Sequence, residues 1–409
     1  MKILFLSHYF PPEGNAPATR VHEMCKRWVK SGHRVTVVTC APNVPTGKVY
    51  EGYRNRWRQR ETIDGIEVVR VWTFIAANKG TFLRVLNYLS YMISATLAGL
   101  SAERPDVCIA TSPQFFCGWA GALVSRLRRL PFVLEVRDIW PDSIVAVGAM
   151  NSRPPIRFLE WLEKKLYAAA DRIVTVGDGY RRQLLEKGCT PERVTVVTNG
   201  IGKDTLVKAA PDEHLRKKMG LTDCFVCSYI GTIGMASGLD VVLRAARLMK
   251  EQQRHDVRFL LIGDGAVREE LQRKATAEEL GNVQFAGLQP KGSIPQWLAL
   301  TDACLIHLKK QDLFRSVLPS KLLDACAAAK PVILGVEGFA AELLQKMDCG
   351  ICIEPENEAE LAGAVMKLQD HPALGRRMGE SGRTYVVQHF DLDALAQRYL
   401  DTLQEIQRT

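Results

Sequence analysis

The stretch FVCSYIGTIGMASGLDVVLRAA, residues 225–246, decides the fold. Six residues, almost all apolar, run into a glycine-bearing turn, and a helical pattern starts near Leu239. An apolar run of this length that feeds a helix through glycine is one β–turn–α unit of a parallel sheet covered on both faces. The plan repeats at once in RFLLIGDGAVREEL (258–271) and continues through NVQFAG (282–287), ACLIHL (303–308), PVILGV (331–336) and GICIEP (350–355).

Upstream lies an equal series. Its strands are ILFLS (3–7), RVTVVTC (34–40), IEVVRVW (66–72), DVCIAT (106–111), FVLEVR (132–137), RIVTVG (172–177) and RVTVVTN (193–199), with helices over 17–31, 113–129 and 155–169. The alternation breaks near NGIGKD (199–204). A chain of 409 residues exceeds what one core normally supports. The expected architecture is therefore α/β with two doubly wound, Rossmann-like domains, residues 1–200 and 201–390, facing a cleft at the strands' carboxyl ends. The amphipathic segment 391–409 has no strand after it and is assigned to the first domain.

Charge separates the halves. Residues 1–200 carry 28 Lys and Arg against 17 Asp and Glu, net +11; the remainder carries 26 against 28, net −2. The first half should therefore face something negative. No nucleic-acid motif accompanies the charge, so nucleic acid is not expected as a partner. The segment EGYRNRWRQRETIDG (51–65) interleaves Arg54, Arg56, Arg58 and Arg60 with Tyr53 and Trp57, and 81–100 is a nearly uncharged helix too polar to span a bilayer. Both suit an anionic membrane surface, although 81–100 reads equally well as a buried crossover helix. The eleven cysteines lack scaffold spacing, which fits a reducing cytoplasm. The CxxC pairs Cys224/Cys227 and Cys349/Cys352 lie on strands, where i and i+3 diverge, so structural thiols are expected and no metal site.

Chemistry concentrates at strand ends. SHYFPPEGNAPATR (7–20) follows the first strand, with His8 and Arg20 bracketing a loop in which Gly14 permits close backbone approach of a ligand. LEVRDIWPDS (134–143) places Arg137, Asp138 and Asp142 at a buried strand end, to pair with each other or with a ligand. Gly263-Asp264-Gly265 begins a dinucleotide fingerprint, but Arg268 occupies the third glycine position, which disfavours a nicotinamide enzyme. In SVLPSKLLDACAAAKPVIL (316–334) a helix starts after Pro319-Ser320 with the cation Lys321 in its first turn. That arrangement suits an anion.

PPEGNAPATRVHEMCKRWVKSGHRVTVVT, EVRDIWPDS, VTNGI, IGDG and LPSKLLDACAAAKPVI, in that order, resemble family 4 retaining glycosyltransferases of GT-B fold, and within them the bacterial cell-surface polysaccharide branch (L-fucosamine and colanic acid transferase types). The resemblance implies transfer of an N-acetylated deoxy- or aminosugar from a UDP-sugar to a polyprenyl-diphosphate-linked saccharide. That transfer would take place at the inner face of the cytoplasmic membrane, without metal or other cofactor. It makes Lys321 the counter-charge of the donor's diphosphate, helped by Leu318, Pro319 and Ser320 in its turn and by Arg315 or Arg20. Asp324 would take the ribose. Gly14 and Asn15 would approach the diphosphate or sugar, and Gly231, Gly263, Asp264 and Gly287 would shape the donor pocket. Arg137 and Asp138 would stand on the acceptor side.

The chain departs from the family pattern at three places. Ser316 and Asp324 replace two glutamates, Thr232 and Ser237 replace an Arg and a Lys, and Arg137 replaces a His. Two alternatives share the fold: a nucleotide-sugar epimerase, and a non-catalytic partner that binds lipid-linked sugar.

Overall fold

The computed structural model describes residues 1–408 except 45, 76–80, 113, 143–151, 203–205, 207–209 and 211. It divides into two compact units, Met1–Asn199 with Leu392–Thr409, and Gly200–Asp391.

In the first unit the order is β1 (Lys2–Leu6), α1 (Ala16–Lys30), β2 (Arg34–Cys40), β3 (Arg58–Ile63), β4 (Ile66–Val71), α2 (Thr81–Leu100), β5 (Val107–Thr111), α3 (Phe115–Arg128), β6 (Phe132–Val136), α4 (Arg153–Ala169), β7 (Arg172–Thr175), α5 (Asp178–Glu186) and β8 (Val194–Val196). They form one sheet in the order β3-β4-β2-β1-β5-β6-β7-β8. Every pairing is parallel except β3 with β4. Strand β3 lies inside the arginine-rich segment and is absent from the strands expected above. It joins β4 through Asp64-Gly65, both at positive φ (49° and 80°) between the paired residues Ile63 and Ile66. Two central residues in the left-handed region make the tight hairpin turn that matches strand twist, and Asp-Gly is its signature.

The second unit runs α6 (Glu213–Lys218), β9 (Phe225–Ile230), α7 (Asp240–Glu251), β10 (Val257–Ile262), α8 (Arg268–Ala277), β11 (Val283–Gly287), α9 (Ile294–Ala299), β12 (Ala303–His307), α10 (Ser320–Ala327), β13 (Val332–Gly335), α11 (Phe339–Met347), β14 (Gly350–Cys352), α12 (Glu358–Asp370) and α13 (Pro372–His389). Its sheet is wholly parallel, in the order β11-β10-β9-β12-β13-β14. Cys227 and Cys349 are buried, Cys224 and Cys352 partly so, and all four are free thiols.

The last helix, α14 (Leu392–Arg408), returns to the first unit and packs on α1. Leu395, Ala396, Tyr399, Leu400 and Leu403 join the core that contains β1, β2 and Trp28. The Trp28 indole donates to the Ala396 carbonyl (3.1 Å), and the Tyr399 ring meets it edge-on at 5.1 Å. Among the described residues no helix is long and apolar enough to cross a membrane.

Trp28 is fully buried at the seam between α1 and α14. Trp28→Ala should cost about 3–5 kcal/mol in denaturant unfolding. A loss under about 1 kcal/mol contradicts the docking of α14.

Candidate active site

Parallel strands leave all their carboxyl ends on one edge of the second sheet, and three glycines meet there. The Gly231 N–H donates to the Ile262 carbonyl (2.8 Å) and the Gly263 N–H to that of Gly287 (2.9 Å). Gly263 sits at φ +141°, and a Cβ there would stand 1.9 Å from the Gly231 carbonyl oxygen. Only glycine lets the two turns touch. Asp264 accepts from Arg268 Nε (2.8 Å) and from the Gly265 N–H (2.8 Å). Arg268, which fills the third fingerprint position, is thus paired locally.

The helix α10 opens beside these turns. Pro319 precedes it in extended conformation and gives no side-chain cap, so the first-turn N–H groups keep their partial positive charge. Lys321 reaches from this turn across Gly231, and its Nζ lies 3.7 Å above the centre of the Tyr229 ring. Burial lowers the Lys321 ammonium to about 7. Asp324 is exposed at the pocket rim. Burial raises its carboxyl to about 6, against the opposing pull of Lys291 and Lys321. Ser228, Ile230, Ile294, Leu298 and Ile306 line the pocket beneath the pair.

Ser237 is buried and engaged in its own turn: its Oγ accepts from the Gly234 N–H (3.0 Å). It brings no charge. Arg315 is exposed and its nearest ion partner is Asp312 (3.8 Å). Within the second unit Gly231 and Asp324 stand beside Lys321, Gly263 touches the Gly231 turn, and Gly287 accepts from Gly263. Leu318 and Pro319 are half-buried in the loop before it, and Ser320 is exposed.

The candidates of the first unit turn out differently. Arg20, expected at a phosphate, is buried and occupied: Nε faces Glu135 (3.3 Å), while its terminal nitrogens donate to the carbonyls of Val197 (2.7 Å) and Thr198 (2.8 Å). Arg137 is also buried. Its guanidinium falls to about 10 through desolvation, lies 4.0 Å from Glu135 and donates to the Pro17 carbonyl (3.2 Å). Both arginines therefore serve a structural ion cluster around Glu135, a carboxylate that sequence reasoning passed over because it hides in the β6 strand pattern.

Asn15 is the N-cap of α1, accepting from the Ala18 N–H (2.9 Å). A Cβ on Gly14 would meet no atom within 4 Å, so packing in this unit does not demand glycine there. Asp138 lines a small pocket with Ser112, Phe115, Trp140 and Leu166. Asp142 pairs instead with Lys187 (3.0 Å). His8 is buried, held neutral by burial at about 3, and boxed by the rings of Tyr9, Tyr88 and Tyr91. Glu13, also unforeseen, is buried and accepts the N–H groups of Asn43 (2.8 Å) and Val44 (3.0 Å).

Comparison with known proteins agrees with the two-unit division. Residues 15–200 match the glycosyl transferase 4-like domain and 212–385 the glycosyl transferases group 1 domain. The chain belongs to the family 4-like glycosyltransferases of GT-B fold and is a glycosyltransferase. It is 27% identical over 395 residues to a protein of Escherichia coli (strain K12) named for colanic acid biosynthesis, WcaI, covering 93% of this chain and 96% of that one. It is 26% identical over 254 residues to the amylovoran biosynthesis glycosyltransferase AmsK of Erwinia amylovora, 61% of this chain and 58% of that one. The crystal structure of Anabaena HepE with UDP and glucose superimposes with a TM-score of 0.74 at 18% identity, over 99% of both chains.

Two substitutions separate structural from binding roles. Arg20→Ala leaves Glu135 buried without its nearest cation and should cost about 3 kcal/mol or more of stability, with UDP affinity unchanged in calorimetry. A UDP affinity that falls while stability holds returns Arg20 to the donor site. Gly231→Ala would set a Cβ 2.4 Å from Lys321 Cε and should displace the lysine and weaken UDP binding.

Proposed function

We propose that this protein is a retaining glycosyltransferase of bacterial polysaccharide biosynthesis that moves a sugar from a UDP-sugar to a lipid-linked saccharide. The observation that carries the donor assignment is Lys321 at the uncapped start of α10, against the Gly231 turn. Supporting it, the solved structures of HepE contain UDP and UDP-glucose, and the relatives named above are ascribed to colanic acid and amylovoran biosynthesis.

In this proposal the donor's diphosphate lies on the first-turn N–H groups with Lys321 as its counter-charge. The bond from the anomeric carbon to the diphosphate oxygen breaks, and its electron pair leaves with UDP. A fixed cation there gains most as that charge develops, so it lowers the barrier more than it tightens the ground state. The acceptor hydroxyl bonds to the same carbon on the face the diphosphate vacates, and its proton passes to the departing phosphate oxygen. Asp324 accepts from the nucleotide's ribose. No metal is required, since the helix terminus and the lysine carry the charge. The acceptor side, with Asp138, is assigned to the first unit, and an aminosugar is the expected cargo.

A lipid-linked acceptor places the enzyme at the cytoplasmic side of an anionic membrane, and the first unit has a surface suited to it. Arg54, Arg56 and Arg58 are exposed around Trp57, itself 65% exposed. Trp72 donates its N–H to the Trp57 carbonyl (3.3 Å), and the Phe74 N–H donates to Ser90 Oγ (2.8 Å) on α2. The hairpin is thereby tied to a helix whose outward Leu83, Leu86, Ile93 and Leu97 are exposed. Arginines mixed with aromatic and aliphatic side chains on one open face are the composition of a bilayer interface.

Lys321→Ala should lower kcat on the order of 10²-fold or more with UDP-sugar, and unchanged turnover removes Lys321 from the chemistry. UDP at 100 Kd should stabilise the protein by about 2.7 kcal/mol while NAD and ATP do not; a response to none of them overturns the donor site. Replacing Arg54, Arg56 and Arg58 by Gln should weaken sedimentation with phosphatidylglycerol vesicles at low salt and spare UDP binding. Vesicle binding indifferent to both the substitutions and added salt rejects the membrane face.

A further inference from the structure

We propose that Tyr229 is a positioning residue: its ring seats the Lys321 ammonium over the Gly231 turn, where the diphosphate is received. This rests on Lys321 being the diphosphate's counter-charge.

The ring is fixed at both ends. Its body is 2% exposed in the core under β9, and its hydroxyl donates to the Thr232 carbonyl (2.7 Å), within the same turn that Lys321 crosses. A buried tyrosine that spends its O–H on one backbone carbonyl cannot swing without stranding that hydrogen bond. On the opposite side the lysine stem lies so close to Gly231 that a Cβ would reach 2.4 Å from its Cε. The stem is therefore held between an aromatic face and a glycine.

Among the described residues no carboxylate comes within 4.0 Å of Lys321 Nζ. The groups that face it are few. Asp324 lies on its own helix, Lys291 ahead of α9 acts on Asp324, Cys304 lies on β12 and the Tyr229 ring on β9. The ring does what a counter-ion would otherwise do. A cation 3.7 Å above the centre of a ring is well inside the range of attraction to its negative face. The distinction matters for function. A carboxylate partner would occupy the N–H donors that the diphosphate needs, whereas a ring face holds the charge and leaves donors available.

The test uses the full chain with ¹³C-labelled lysine methylene groups. In wild type the Lys321 ε-protons should be shifted upfield by the ring current, identified by loss of the signal in Lys321→Ala. Saturating UDP should raise the pH midpoint of that signal, because an anion favours the ammonium. Tyr229→Phe should keep the shift. Tyr229→Leu should abolish it, raise the KM for donor about 10-fold and move the alkaline limb of kcat/KM to lower pH, since burial is then opposed by Asp324 alone. A Lys321 signal at the ordinary lysine position in wild type overturns the proposal whether or not Tyr229→Leu folds. So does an unchanged pH profile in a folded Tyr229→Leu. If Lys321→Ala binds UDP normally, the diphosphate assignment fails instead, and the ring-current shift alone decides whether Tyr229 seats the lysine.

Discussion

The direction of the strands governs everything else in the second unit. With β9, β10 and β11 parallel, Gly231, Gly263 and Gly287 arrive at one edge, and the helices that follow must begin near it. Helix N-termini and close-packed turns are then gathered without any side chain arranging them. The glycines are the cost of that crowding: the turn after β10 touches the turn after β9 backbone to backbone, with no space for a methyl group. Lys321 adds its charge to an edge whose backbone polarity is already set.

That edge holds its charge economically. Thr232 and Ser237 bring no charge to it, and Ser237 ties its own turn together instead. Lys321 stands there with Asp324 one helical turn away, Lys291 also acting on that carboxylate, and a tyrosine face below the ammonium. Desolvation works against both ionised forms, lowering the lysine and raising the aspartate, while each pulls the other back toward its charged form. The first unit treats its charges in the opposite way. Arg20, Arg137 and Glu135 are packed together, and both guanidiniums also donate to backbone carbonyls, which gives a firm strand end.

Strands with continuous apolar runs were legible without coordinates, because a sheet covered on both faces leaves little else that such a run can be. Strand β3 was not. RQRETI is polar, lies at the sheet edge and alternates only between exposed and half-exposed positions, so hydrophobicity carries no signal there; Asp64-Gly65 was the readable clue. Lys321 stood out because a cation in the first turn of an otherwise apolar helix is conspicuous. Tyr229 did not, since an aromatic residue in a strand is ordinary until the partner above its ring is known. The partners of Arg20 and Arg137 were not legible for a related reason. A buried guanidinium can face a ligand or a carboxylate, and which it faces depends on Glu135, whose own position within β6 looks like any other strand residue.

A lysine held near neutrality is also a different reagent from its surface counterparts. Burial holds the Lys321 ammonium well below the usual lysine range, so its free amine is more populated at neutral pH than that of a surface lysine. Its nitrogen lone pair is thus available to electrophiles that pass over the other lysines, and an anion seated on the α10 turn would withdraw it by restoring the proton. The residue that gives the site its charge thereby makes the occupied and empty states chemically distinguishable by acylation.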